Sequence, residues 1–378
     1  MTDATPAAEA PSAAQKVSHR SRPQPDSPPG RFSAVLENGS AAEVLAVHLA
    51  AQAGDFLRGL PSVDLHTLRR VGAALHTFES LLDPAWARDM REELSRLGAV
   101  LGQERAYGRR LTRLLAGLDS LTSTDLSLGA DGPAAAATAA AARTTPNPPT
   151  AGPVPRPREA EGLLARHPGA PKARALLERQ LTLGRSRAHT AALQELGSAR
   201  FHALADRMTL LASDLPLRAG AGDAPVGDLL SCAAAETAAL AAAAAALPLE
   251  RAAVAYNGDC LHDPGDDQPW RQVHGMVQRT RYALELCVPL LGRQAGTPLS
   301  ALTELSRILG RHRDAADAAE AAALAALTPR ITPATGYVLG VVHADQRLEV
   351  EAARHAFGTT WPDLYRSGWL TDAWLTTR

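Results

Sequence analysis

The chain has 378 residues, with 39 Lys and Arg against 40 Asp and Glu, so no global field draws it toward nucleic acid or a membrane surface. Alanine and leucine dominate, aromatics make up 4%, and no β-branched run alternates, which argues against a sheet-based fold and for an all-α protein with a Leu, Ala and Val core. A polyanion site would have to be a local concentration of charge. Arginine would supply it, since Lys16 and Lys172 are the only lysines, although a GC-rich genome produces the same bias.

In chain order, residues 1–32 mix Pro, Ser, Ala and scattered charges and read as a disordered tail without the apolar region of a signal peptide. Ser40 is placed to cap a helix running to about Leu60, with Val44, Leu45, His48 and Leu49 facing inward. A second helix follows Pro61-Ser62 and runs to about Leu82, and Asp83-Pro84 opens a third. In that third helix Trp86, Met90, Leu94, Leu97 and Leu101 recur every three or four residues, and the pattern continues through Leu118. Residues 122–157 are a low-complexity linker of Ala, Thr, Pro and Gly. Helical text resumes from Ala170 to Leu211 with a break near Gly197-Ser198.

The second half opens with a helix ending at Ala246. Its stretch Leu229–Leu247 is apolar but interrupted by Glu236 and Thr237, so it reads as a core helix and not a membrane span. Helices then follow over Trp270–Leu291, Leu299–Leu327 and Pro333 to about Phe357, with Trp361, Trp369 and Trp374 in the tail. Cys232, Cys260 and Cys287 are odd in number and widely spaced, which fits a reducing cytoplasm.

The stretch WRQVHGMVQRTRYALELCVPLL, residues 270–291, is the most informative. Arg271, His274, Gln278 and Arg281 share one helix face, while Val273, Val277, Leu284 and Val288 form an apolar one. The halves also match each other. Leu94, Leu97, Leu101, Gly102 and Arg105 correspond at a constant offset to Leu302, Leu305, Leu309, Gly310 and Arg313. Five pairs in register imply an internal duplication.

No nucleotide-cradling loop, H-E-x-x-H or zinc spacing occurs, so the residues offer a binder instead of a catalyst, with no cofactor and no metal. The text around Glu349 and Glu351 lacks the basic residue of an E-x-E-x-K triphosphate-hydrolase signature.

These residues resemble the CHAD family, the conserved histidine α-helical domain, over residues 33–378. Its half-motif H-x-x-R-x-x-x-[KR]-R-x-R, often followed by Y-A-L-E, compares with R-Q-V-H-G-M-V-Q-R-T-R-Y-A-L-E from Arg271. Its L-x-x-L-G-x-x-[RH]-D compares with the segment ending at Asp314. The resemblance implies two pseudo-symmetric four-helix bundles, one from residues 33–215 and one from 216–378, around a basic groove for inorganic polyphosphate. Carried over by position, Arg271 and His274 exchange the family's histidine and arginine, Gln278 replaces a basic residue, and Arg279 and Arg281 are retained. In the first half Ser62 and Leu65 fill the histidine and arginine slots. Arg69 and Arg70 are retained, Gly72 replaces arginine, and His76 adds a donor. Asp314 is kept, while its first-half counterpart is Ala106.

The expected ligand set is therefore Arg69, Arg70, His76, Arg271, His274, Arg279 and Arg281, with Arg347 in the closing helix as a weaker member. His274 and His76 would contribute more below about pH 6.5, where imidazole is protonated. Arg313 and Asp314 read as a local ion pair. The leading expectation is a non-catalytic cytoplasmic module associated with polyphosphate granules, with no specific nucleic acid and no membrane as partners. The alternative is a degenerate helical scaffold that binds proteins and has lost the anion.

Overall fold

A computed structural model describes residues 39–60, 63–123, 163–256, 258–261 and 267–370. Among the described residues every extended element is a helix, and an isolated antiparallel bridge joins Leu82 to Leu217. Local sequence sets most helix starts. α1 (Ala41–Arg58) begins with a capping box: the Ser40 hydroxyl accepts from the Glu43 N–H, and the Glu43 carboxylate accepts from the Ser40 N–H. The Asp64 carboxylate caps α2 (Leu65–Thr77), and Asp83 followed by a proline starts α3 (Pro84–Thr122). The fourth helical stretch breaks at Gly197 as expected. It gives α4 (Ala170–Leu196) and α5 (Ala199–Ser213), with Ser198 capping the second.

α6 (Gly227–Ala245), α7 (Asp267–Leu291), α8 (Gly296–Ala326) and α9 (Pro333–Arg366) complete the order. Two boundaries differ from the sequence reading. The second helix stops at Thr77, and a 3₁₀ turn over Glu79–Leu81 covers the rest. α9 runs past Phe357 through Pro362 to Arg366. Phe357 and Trp361 stack 5.4 Å apart and are buried, and that packing offsets the hydrogen bond the proline removes. Ser62, the linker beyond Ser123, the N-terminal tail and Trp374 lie outside the described residues.

The main core joins α1, α2, the first half of α3, α5, α6, α7, the start of α8 and the end of α9. A second core holds the far half of α3 and of α8 together with α4 and the start of α9, through Leu114, Leu118, Leu177, Val338 and Val342. Each core thus draws on both halves of the chain. α3 and α8 are long because they pass from one core into the other. Gly169 marks a close approach: a Cβ there would collide with the backbone carbonyl of Ala334, where α4 meets α9. α6 is long and apolar enough to cross a membrane, but Leu229, Ala233, Leu240 and Ala244 pack in the main core and Glu236 makes an ion pair.

Candidate anion-binding site

α2 and α7 pack against each other, which brings the arginines of the two halves together. Arg70 of α2 pairs with Glu285 of α7 at 2.6 Å, and the Tyr282 hydroxyl lies 3.1 Å from His66 Nδ1. Tyr282 is flanked by two cations, with Arg281 4.9 Å and Arg70 6.0 Å from its ring centroid. Beside this contact lies a cavity of about 560 Å³ lined by Arg69, Arg91 and Arg279. Gly72, Gly98 and Gly275, from three different helices, also line it, and nothing occupies the space a Cβ would take at any of them. An incoming group can therefore approach the helix backbones.

Arg69 is the most crowded cation. Its pKa is lowered by partial burial and by Arg313, Arg109 and Arg105, against the opposing influence of Tyr282. Among the described residues neither Arg69 nor Arg105 is seen in a hydrogen bond or an ion pair. Both are exposed. Three like charges close enough to depress an arginine raise the folded state's energy unless an anion joins them.

The other expected arginines already hold carboxylates. Arg271 pairs with Asp317 at 2.7 Å, Arg279 with Glu236 at 2.9 Å, and Arg281 with Glu285 at 3.5 Å. Asp314 accepts from both Arg313, at 2.9 Å, and Arg109, at 3.2 Å. Asp314 therefore ties α3 to α8 in addition to its local pairing.

Both expected histidines are less basic than a free imidazole. His274 is 5% exposed and accepts a hydrogen bond from Gln278 at 3.0 Å. Burial, with Arg313 and Arg69 nearby, lowers its pKa to about 4, although Asp314 opposes. The His76 pKa is also lowered, by burial and Arg279 first, with Glu236 opposing. Arg91 donates to its Nδ1 at 2.8 Å. His274 therefore stays neutral just below pH 6.5 and does not strengthen an anion site there, and His76 is shifted in the same direction.

The expectation for Arg347 is corrected. It is 2% exposed and donates to Asp267 at 2.6 and 3.3 Å. Arg354 donates to the same carboxylate at 2.7 Å and to His312 at 3.2 Å, and its guanidinium lies 5.4 Å from the Trp270 ring. This buried network fixes the start of α7 against α8 and α9. Val288, expected on the apolar face, is 37% exposed, whereas Val273, Val277 and Leu284 are buried.

Sequence reasoning missed Arg109, gave Arg105 only a role in the internal match, and gave Arg313 that role and a local ion pair with Asp314. The four-residue spacing of Arg105, Arg109 and Arg113 was the available signal, since it places all three on one face of α3.

Residues 65–323 match the CHAD domain family. The chain belongs to that family. It is also similar to the solved structure of PptA from Streptomyces chartreusis, at 40% identity over 85% of this chain and 98% of that one, with a TM-score of 0.62. No curated protein matches. Within the CHAD match, α2, α7 and the two helices that follow them, α3 and α8, contribute all of the clustered arginines.

Proposed function

We propose that this CHAD-domain protein binds inorganic polyphosphate, or a polyanion of the same chemistry, in the groove between α2 and α7 and the adjoining faces of α3 and α8. It acts there as a binder without catalysis, in the cytoplasm and in association with polyphosphate granules. The observation that carries this reading is the convergence of Arg69 with Arg105, Arg109 and Arg313, two of these four having no carboxylate partner among the described residues. Arg69, Arg70, Arg105, Arg109, Arg271, Arg279, Arg281 and Arg313 are balanced by Glu236, Glu285, Asp314 and Asp317, so cations outnumber these carboxylates two to one. A hydrogen bond to a charged group contributes about 1.5–3 kcal/mol. A ligand that engages several of these arginines at once gains steeply with their number.

The duplication belongs to the same reading. α2 packs on α3 as α7 packs on α8, and α3 on α4 as α8 on α9, which supports two related four-helix units whose cores interlock. A second reading, a scaffold that has lost the anion, is favoured by the ion pairs at Arg70, Arg271, Arg279 and Arg281. Comparing an R69A/R105A variant with an R271A/R279A/R281A variant in polyphosphate binding separates the two readings. The anion reading expects R69A/R105A to lose more per residue removed. The scaffold reading expects no binding to lose.

A further inference from the structure

The arginine face does not end at the cavity beside Arg69. Arg91, Ser95, Gly98, Gly102, Arg105, Arg109 and Arg113 recur every three or four residues along α3 and so lie on one side of it. Arg91, Ser95 and Gly98 line the first cavity. Arg105, Arg109 and Arg113 line a second, of about 830 Å³, completed by Arg185 of α4, Asp314 of α8, and Asp345 and Glu349 of α9. Arg69 lines the first cavity and its charge acts on Arg105 and Arg109 of the second.

The two cavities differ in charge. In the second, Arg105, Arg109, Arg113 and Arg185 meet Glu104, Asp314, Asp345 and Glu349. Arg113 pairs with Glu349 at 3.2 Å, Arg185 with Glu104 at 3.5 Å and Arg109 with Asp314 at 3.2 Å. Burial, and then Glu349, push the Asp345 carboxyl up, although Gln346 and Arg113 oppose. A balanced set of this kind has little hold on a small free anion. It can receive a chain already anchored at Arg69 and Arg105, because the tether then sets a high effective concentration of the next phosphate.

We propose that the second cavity is an extension subsite for a long linear polyphosphate lying along the arginine face of α3 from Arg91 to Arg113. This rests on the polyphosphate reading above and narrows its ligand class to long chains. Between those residues the helix advances roughly 33 Å, a span that tripolyphosphate cannot cover. Anchoring would fall to the first cavity and Arg105, and chain-length preference to Arg113 and Arg185.

The test measures binding of tripolyphosphate and of long-chain polyphosphate to the full chain and its variants. R113A/R185A is expected to leave tripolyphosphate affinity unchanged and to weaken the long chain about tenfold, with a salt slope shallower by about 1.4 at roughly 0.7 per lost contact. E349Q removes a half-exposed carboxylate that holds Arg113, leaves the cores untouched, and is expected to strengthen long-chain binding alone. It keeps the proposal testable should R113A/R185A fail to fold. Equal losses for both ligands in R113A/R185A, or no response of long-chain binding to E349Q, would overturn the subsite. If wild-type protein binds neither ligand at low salt, the polyphosphate reading itself is refuted and the subsite with it.

Discussion

Replacing Asp267 with Asn tests how the start of α7 is held. Asp267 is 6% exposed and its carboxylate takes donors from Arg347 and Arg354, themselves 2% and 6% exposed. His312 Nε2 lies 3.6 Å from the same carboxylate and stays neutral, since burial and Arg354 lower its pKa to about 3 against the pull of Asp267. Both buried guanidiniums thus share the Asp267 carboxylate. Removing one partner of a buried ion pair costs about 3–5 kcal/mol, because the remaining charge keeps its desolvation penalty. Asparagine preserves the shape and one acceptor, which places D267N near the lower end, at about 3 kcal/mol. At roughly 2.1 cal/mol/K of unfolding entropy per residue, each kcal/mol moves Tm by about 1–2 °C in a domain of this size, so far-UV circular dichroism should show a fall of about 3–6 °C. A fall of less than about 2 °C would refute the argument that this carboxylate anchors the three helices.

Three further outcomes follow from the same reasoning. His274 and His312 have folded pKa values of about 4 and about 3, below the ordinary 6.5, so the unfolded chain binds their protons first. Their contribution to stability is complete above about pH 6.5 and is lost as pH falls toward those values, by roughly 1.4 kcal/mol per pH unit for each. Urea titrations at pH 7 and in the acid range should show it, and H274Q/H312Q should flatten the dependence. G169A should destabilise by about 1–3 kcal/mol through the clash with the Ala334 carbonyl, whereas G108A, which faces open space, should not, as thermal melts of the two variants will show. Burial pushes the Cys287 thiol up to about 12, so mass-spectrometric mapping after iodoacetamide treatment of the native protein should find Cys287 unmodified.

Much of the fold was legible because its signals are local. Ser40, Asp83 with Pro84, and Gly197-Ser198 state where helices begin, and each does so in the structure. The three- and four-residue recurrence from Met90 to Leu118 likewise named buried residues, Met90, Leu94, Leu97, Leu114 and Leu118, with Leu101 partly buried against the core. The ligand set was less legible because burial and pairing are non-local. Arg347 looks like any basic residue on a helix until Asp267, far away in sequence, closes over it. His274 shares a face with Arg271 by spacing, but α7 lies in a layer where that position points inward. Glu236, which holds Arg279, sits on the alanine-rich α6 and carries no sign of its partner. The reverse error occurred at Arg105 and Arg109, whose importance comes from the approach of α3 to Arg69 across the fold.

The most direct test of the central claim is the affinity of wild-type protein for long-chain polyphosphate over a range of salt concentrations. Engagement of the four clustered arginines together with Arg113 and Arg185 predicts measurable binding at low salt and a slope of log affinity against log salt of about −4.2, taking roughly 0.7 per contact. R69A/R105A should bring that slope to about −2.8 while leaving the helical content unchanged. Absence of binding at low salt, or binding indifferent to salt, would contradict the arginine groove and leave the helical scaffold as the reading to pursue.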